Sequence, residues 1–188
     1  MRTFHYSIVE QNFQEEREEK IMIKFEKITE SQYLKDYINK IEDCANKASS
    51  VYREIVLPRR STKGSAGYDF FAPYDFVLRP GEQITVLTGI KVLMPYGVVL
   101  IIAPRSGQGI RYKLQLMNTL GVIDADYSEA ENEGHIMIAL FNDSPNGAHL
   151  EVKKGQAFAQ GVFLPYYLTD EDKACEQRTG GFGSTDDR

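Results

Sequence analysis

The chain has 188 residues, of which 42% are hydrophobic, 26% charged and 11% aromatic, enough to bury one core of ordinary size and too apolar for a disordered chain. Its formal charge of −5 argues against broad, sequence-independent adhesion to nucleic acid, which needs a clustered basic surface. The longest apolar run, residues 98–103, is far short of the ~20 residues of a membrane-spanning helix, and with no signal-peptide stretch a cytoplasmic protein is expected.

Residues 1–20 read as a polar extension in which 11–20 (QNFQEEREEK) is too polar to form a buried face and is expected to be mobile. Met22 is an alternative start. Residues 21–50 read as a strand plus an amphipathic helix. Apolar and charged residues alternate at Ile23, Phe25 and Ile28, which predicts the strand. Thr29 followed by Gln32 fits a capping box, and Leu34, Tyr37, Ile38, Ile41, Ala45 and Ala48 form one stripe. That face is expected to pack on its own domain or on a neighbouring subunit.

The chain changes character near residue 50, after which come all 7 prolines and all 15 glycines. Residues 84–87, 89–94, 98–103, 115–117, 136–141 and 157–164 are β-branched or aromatic runs, separated by turn signals such as Arg79-Pro80-Gly81 and Ser144-Pro145-Asn146-Gly147. No helix of useful length is expected among them. The pattern predicts an all-β sandwich, jelly roll or barrel over residues 51–177.

Cys44 and Cys175 belong to no CxxC and the three histidines are scattered, so neither a disulfide framework nor a metal held directly by side chains is expected. Chemistry concentrates elsewhere. Residues 178–185 (RTGGFGST) put three glycines, a guanidinium, three hydroxyls and an aromatic face into eight positions, fit either for a phosphate-approaching lid or for a tail of small residues. In residues 103–109 (APRSGQG), Arg105 and Ser106 stand at a strand end, as an anion contact or as a plain turn with a surface arginine. In residues 118–127 (NTLGVIDADY), Asp124 and Asp126 share a face if the chain is extended there. Asp124, beside Val122 and Ile123, is a candidate base for a water; Asp126 fits a supporting bond to nearby backbone. Asp69 follows a small-residue turn in KGSAGYDFFA, and Gln160 puts an amide into an apolar strand in GQAFAQ.

The order and spacing of these pieces resemble the five motifs of the trimeric dUTPase family: GSAGYDFFA at 64–72, PRSG at 104–107, NTLGVIDADY at 118–127, GQAFAQ at 155–160 and RTGGFGST at 178–185. The resemblance implies a jelly-roll-like fold of the β-clip type, with the amino-terminal helix as an insertion. It also implies a homotrimer with sites at subunit interfaces, and hydrolysis of dUTP to dUMP and pyrophosphate. By the resemblance, Asp124 is the catalytic base and Tyr127 packs on the deoxyribose. Backbone of the hairpin carrying Asn118, Gly121 and Ile123 reads the uracil. Arg105, Ser106, Gly107 and Gln160 contact the phosphates, while Asp69 acts at a distance through waters. Residues 178–188 form the lid, with Phe182 on the uracil and Arg178, Gly183, Ser184 and Thr185 at the phosphates. Magnesium arrives on the triphosphate. Two departures stand out: Ala157 occupies the place of a fourth-motif arginine, and residues 128–133 (SEAENE) delay the turn after Tyr127 until Gly134, which reads as an acidic surface insertion. The alternatives are a dCTP deaminase-like enzyme of the same superfamily, and a nucleotide-gated binding protein that docks a regulatory partner through the helix or this insertion.

Overall fold

The first strand, β1 (Lys24–Lys27), turns Phe25 inward and pairs antiparallel with β6 (Ile90–Leu93). The computed structural model describes residues 22–41 and 45–175; the expected mobile stretch 11–20 and the lid residues Arg178, Phe182, Gly183, Ser184 and Thr185 lie outside the described residues. After β1 come α1 (Glu30–Ile41) and α2 (Ala45–Arg53), and from there the chain is mostly strand.

Five strands make the largest sheet, in the order β2 (Arg59–Arg60), β3 (Tyr68–Phe71), β12 (Ala157–Pro165), β7 (Val98–Pro104) and β9 (Gly121–Ile123). A second sheet sets β10 (Met137–Asn142) between β5 (Gln83–Leu87) and β8 (Leu114–Leu116), and β4 (Phe76–Leu78) pairs with β11 (Leu150–Val152). Every one of these pairings is antiparallel. Along β10 buried residues alternate with half-buried ones, as a strand lying on a core requires. Phe70, Leu100, Ile102, Leu140 and Phe158 are at most 1% exposed. Phe25 joins them by ring contacts of 5.5–5.7 Å with Tyr68, Phe70 and Phe163, so β1 shares the core of the β-rich part; burying one such ring contributes roughly 2–3 kcal/mol.

The expected single helix is instead assigned as α1 and α2, the second running on to Arg53. The stripe holds in part: Tyr37 and Ala48 are buried and Leu34 and Ile41 pack half-buried against the core. Tyr33 and Tyr37 are the buried residues of α1, Ala48 and Val51 those of α2, and Ile38 is exposed. Tyr33 and Tyr37 are one i,i+4 pair, and that face, not the Leu34–Ile38 face, meets Tyr52, Tyr74 and His135. Two helical pieces also appear where none was expected: α3 (Ser106–Tyr112) and a 3₁₀ turn (Ala125–Glu129).

Half of the predicted capping box forms, with Gln32 N donating to Thr29 Oγ1 at 3.2 Å. The other half is closed from a distance: Thr29 N and Thr29 Oγ1 donate to the two carboxylate oxygens of Glu133, at 2.8 and 2.6 Å. Residues 128–133 are therefore not simply an acidic surface. Ala130 is buried, Asn132 and Glu133 are half-buried, and only Glu129 and Glu131 face solvent. The insertion seats α1. Gly89 completes that seat: its N donates to His135 Nε2 at 2.9 Å and its carbonyl accepts from Ile28 N at 3.1 Å. At φ +68°, with Ile55 and Tyr33 where a Cβ would stand, only glycine fits without strain.

Candidate active site

Antiparallel register brings one group of predicted residues together. Asp69 on β3 is opposite Gln160 on β12, which is opposite Ala103 on β7, and Arg105 and Ser106 follow where β7 ends and α3 begins. Asp69, Arg105, Ser106, Gly107 and Gln160 line one cavity of ≈ 870 Å³. The Asp69 carboxylate, 8% exposed, accepts from Arg105 Nε at 2.9 Å and from Ser61 Oγ at 2.6 Å. Asp69 thus grips the arginine directly and fixes its guanidinium at the cavity wall. Gln160 Nε2 donates to Pro104 O at 3.0 Å, tying β12 to the end of β7.

The same wall holds residues that the sequence did not point to. Arg111 and Gln108 line the cavity from the helix of residues 106–112, whose length borders it. Read as a turn, that stretch gave no reason to choose them. Ala157 leaves room here: Gln108 Nε2 reaches Ala157 O at 3.4 Å, while Gln108 Oε1 is buried with no partner among the described residues.

A second group gathers elsewhere. Asn118 and Thr119, the latter at φ +67°, make the turn between β8 and β9. Asn118, Gly121 and Ile123 line a cleft of ≈ 30 Å³. Asp124 is exposed and, with extended backbone, caps the 3₁₀ turn. The shared face expected for Asp124 and Asp126 does not form. With three residues per 3₁₀ turn, positions two apart point to different sides. Tyr127 is 5% exposed; its hydroxyl donates to His135 O at 3.0 Å and accepts from Asn132 Nδ2 at 2.9 Å.

Gly121 pairs with Ile102, toward the Arg105 end of β7, but Asp124 stands toward the other end. Ile123 pairs with Leu100, which places Asp124 beside the Val99 end, whereas Arg105 follows Pro104 at the other. Six residues of strand separate those ends, ~20 Å at the rise of an extended chain. Within one chain Asp124 and Arg105 cannot attend to the same phosphate.

The dUTPase family model matches residues 53–186. The chain belongs to the dUTPase family. Among its relatives, the deoxyuridine 5'-triphosphate nucleotidohydrolase of Lactococcus lactis is 41% identical over 134 residues, covering 70% of this chain and 88% of the relative. That of Corynebacterium diphtheriae is 36% identical over 140 residues, covering 70% and 86%. The structure of the Streptococcus mutans dUTPase superposes with a TM-score of 0.57 at 33% identity, over 78% of this chain and 98% of that one. A dUTPase from phage phi11 of S. aureus, at 20% identity and a TM-score of 0.58, over 82% of this chain and 97% of that one, shares the fold. The dUTPase match begins at the last residue of α2, so β1, α1 and nearly all of α2 precede it while contributing Phe25, Tyr33, Tyr37, Ala48 and Val51 to the common core.

Proposed function

We propose that the chain hydrolyses dUTP to dUMP and pyrophosphate at a site assembled between copies of itself. What carries this reading is the convergence of Asp69, Arg105, Ser106 and Gln160 on one cavity, in a chain that spans most of the length of relatives named for that reaction. In the step itself, Asp124 takes a proton from a water whose oxygen bonds to the α-phosphorus. The bond from the α-phosphorus to the bridging oxygen breaks, and pyrophosphate leaves. Arg105, held by Asp69, with Ser106, Gly107 and Gln160, orients the phosphates and meets the charge that develops on them. The hairpin with Asn118, Gly121 and Ile123 reads the uracil edge, and the Tyr127 ring lies against the sugar. Arg178, Phe182, Gly183, Ser184 and Thr185 close over the nucleotide. Asp126 supports the turn that carries Asp124.

Magnesium enters as part of the substrate, on the triphosphate oxygens. The donor set favours this: among the described residues no three His, Cys, Asp or Glu side chains cluster to hold an ion, and both Asp69 oxygens are already engaged.

The ~20 Å between Asp124 and Arg105 supports a homotrimer of jelly-roll-like subunits in which one copy supplies Asp124 and another the phosphate wall. Large exposed side chains at Leu164, Tyr166, Tyr167 and Leu168, 37–93% exposed, give a second copy an apolar surface to cover. No helix among the described residues is long and apolar enough to cross a membrane.

Magnesium-dependent pyrophosphate release compared across dUTP, UTP, dCTP and dTTP tests the reading. Release from dUTP far above the other three is expected. Ammonia from dCTP, with no pyrophosphate from dUTP, would replace it by a deaminase.

A further inference from the structure

The phenol of Tyr127 is held at both of its hydrogen-bonding positions. It donates to His135 O at 3.0 Å and accepts from Asn132 Nδ2 at 2.9 Å. Asn132 has a second, separate task, since its Oδ1 accepts from Gly134 N at 3.2 Å in the manner of an Asx turn. The loop that carries it is pressed onto Tyr127: a Cβ on Gly134, at φ +71°, would lie 2.7 Å from Tyr127 O and from Ser128 Cα. The residues that follow Asn132 are anchored to the amino-terminal unit. Glu133 accepts from Thr29 at 2.8 and 2.6 Å. His135, fully buried, accepts from Gly89 N at Nε2, which leaves its Nδ1–H to donate to Asp36 Oδ2 at 2.7 Å.

We infer that Asn132 is a positioning residue for Tyr127, setting the ring height on which discrimination against a 2′-hydroxyl depends. The inference rests on the reading that Tyr127 packs against the deoxyribose. A ring that excludes one hydroxyl works through steric contact, so a displacement of ~1 Å is enough to open the needed space. Asn132 supplies the N–H that fixes the phenol oxygen, and the clamp on α1 keeps Asn132 where it is. The amino-terminal unit thereby reaches the sugar pocket through two hydrogen bonds, although it lies outside the family match.

Two substitutions separate positioning from loop structure. Asn132→Asp keeps an acceptor for Gly134 N but offers no N–H, and puts a charged oxygen against the phenol oxygen. Asn132→Ala removes both bonds. The measurement is the ratio of kcat/KM for dUTP over UTP, with the melting temperature recorded alongside. Asn132→Asp is expected to lower that ratio about tenfold while its melting temperature stays close to that of the parent chain and above that of Asn132→Ala. Tyr127→Phe should lower the ratio too, and the double variant Tyr127→Phe with Asn132→Asp should fall no further than the lower single, because Tyr127→Phe already removes the bond that Asn132→Asp breaks. An unchanged ratio in Asn132→Asp, while Tyr127→Ala abolishes discrimination, overturns the inference and leaves the reading of Tyr127 standing. An unchanged ratio in Tyr127→Ala overturns that reading, and the inference with it.

Discussion

The hydroxyl of Tyr33 is fully buried and has no hydrogen-bond partner among the described residues, while its ring touches Tyr37, Tyr52 and His135 at 5.7–5.9 Å. Burial pushes its phenol pKa strongly upward, and a buried polar group without a partner costs about 1–3 kcal/mol. Tyr33→Phe keeps the ring contacts and removes the orphan oxygen. It is expected to stabilise the fold by about 1 kcal/mol, read as a higher urea midpoint at unchanged slope; a loss of stability would mean that the hydroxyl has a partner in solution. Asp124 carries the opposite expectation. It is exposed, so Asp124→Asn should leave folding and dUTP binding intact and lower turnover by roughly 10²–10⁴, measured by pyrophosphate release and by equilibrium binding of dUTP. Near-normal turnover would remove Asp124 from the role of base. Asp124, Arg105 and Ser106 were legible because each sits in a short run of fixed spacing. Arg111, Ser61 and Asn132 were not, since their places depend on a helix, a strand pairing and a loop clamp that join distant positions.

At the scale of elements, α1 is seated by polar contacts more than its stripe suggested. Its two buried residues are tyrosines, and the cap, the Asp36–His135 bond and the Gly89 contacts hold it in place. The stripe told that a helix exists there and included the buried Tyr37, but it omitted Tyr33 and took in the exposed Ile38, because Leu34 and Ile38 match the period as well as Tyr33 and Tyr37 do. Only the aromatic and histidine partners distinguish them. Burial acts to raise the Asp36 carboxyl, yet the hydrogen bonds from His135 and Gln32 outweigh it and hold Asp36 below the ordinary range. A folded value below the unfolded one means that this group stabilises fully above the unfolded pKa near ~3.9 and that the contribution vanishes as pH falls through the lowered value. Asp36→Asn keeps an oxygen for His135 Nδ1–H and removes the titration. Between pH 6 and pH 3 the parent chain should therefore lose more stability than Asp36→Asn, compared by urea midpoints; equal losses would show that the seat of α1 does not depend on that charge.

The molecule as a whole sets Asp124 and Arg105 toward different ends of β7, a fact that no spacing in the sequence expressed. Arg105 and Asp124 are 19 residues apart, near enough along the chain to suggest one pocket, yet β7 runs between them and holds them ~20 Å apart. A charge of −5 is compatible with an anionic substrate. The cations at the cavity are local, Arg105 and Arg111, and the rest of the surface contributes little at that range. Subunit mixing tests the division. Asp124→Asn and Arg105→Ala chains, each inactive alone, are denatured together in equal amounts and refolded. If each site draws Asp124 from one chain and Arg105 from another, about one site in four receives both native residues in a closed, randomly mixed oligomer. Pyrophosphate release should then recover to about a quarter of the parent activity, and should not recover when the two variants are mixed without unfolding. A refolded mixture as inactive as its components would place Asp124 and Arg105 in the same chain's site, and would require β9 to leave the position that its pairing with β7 gives it.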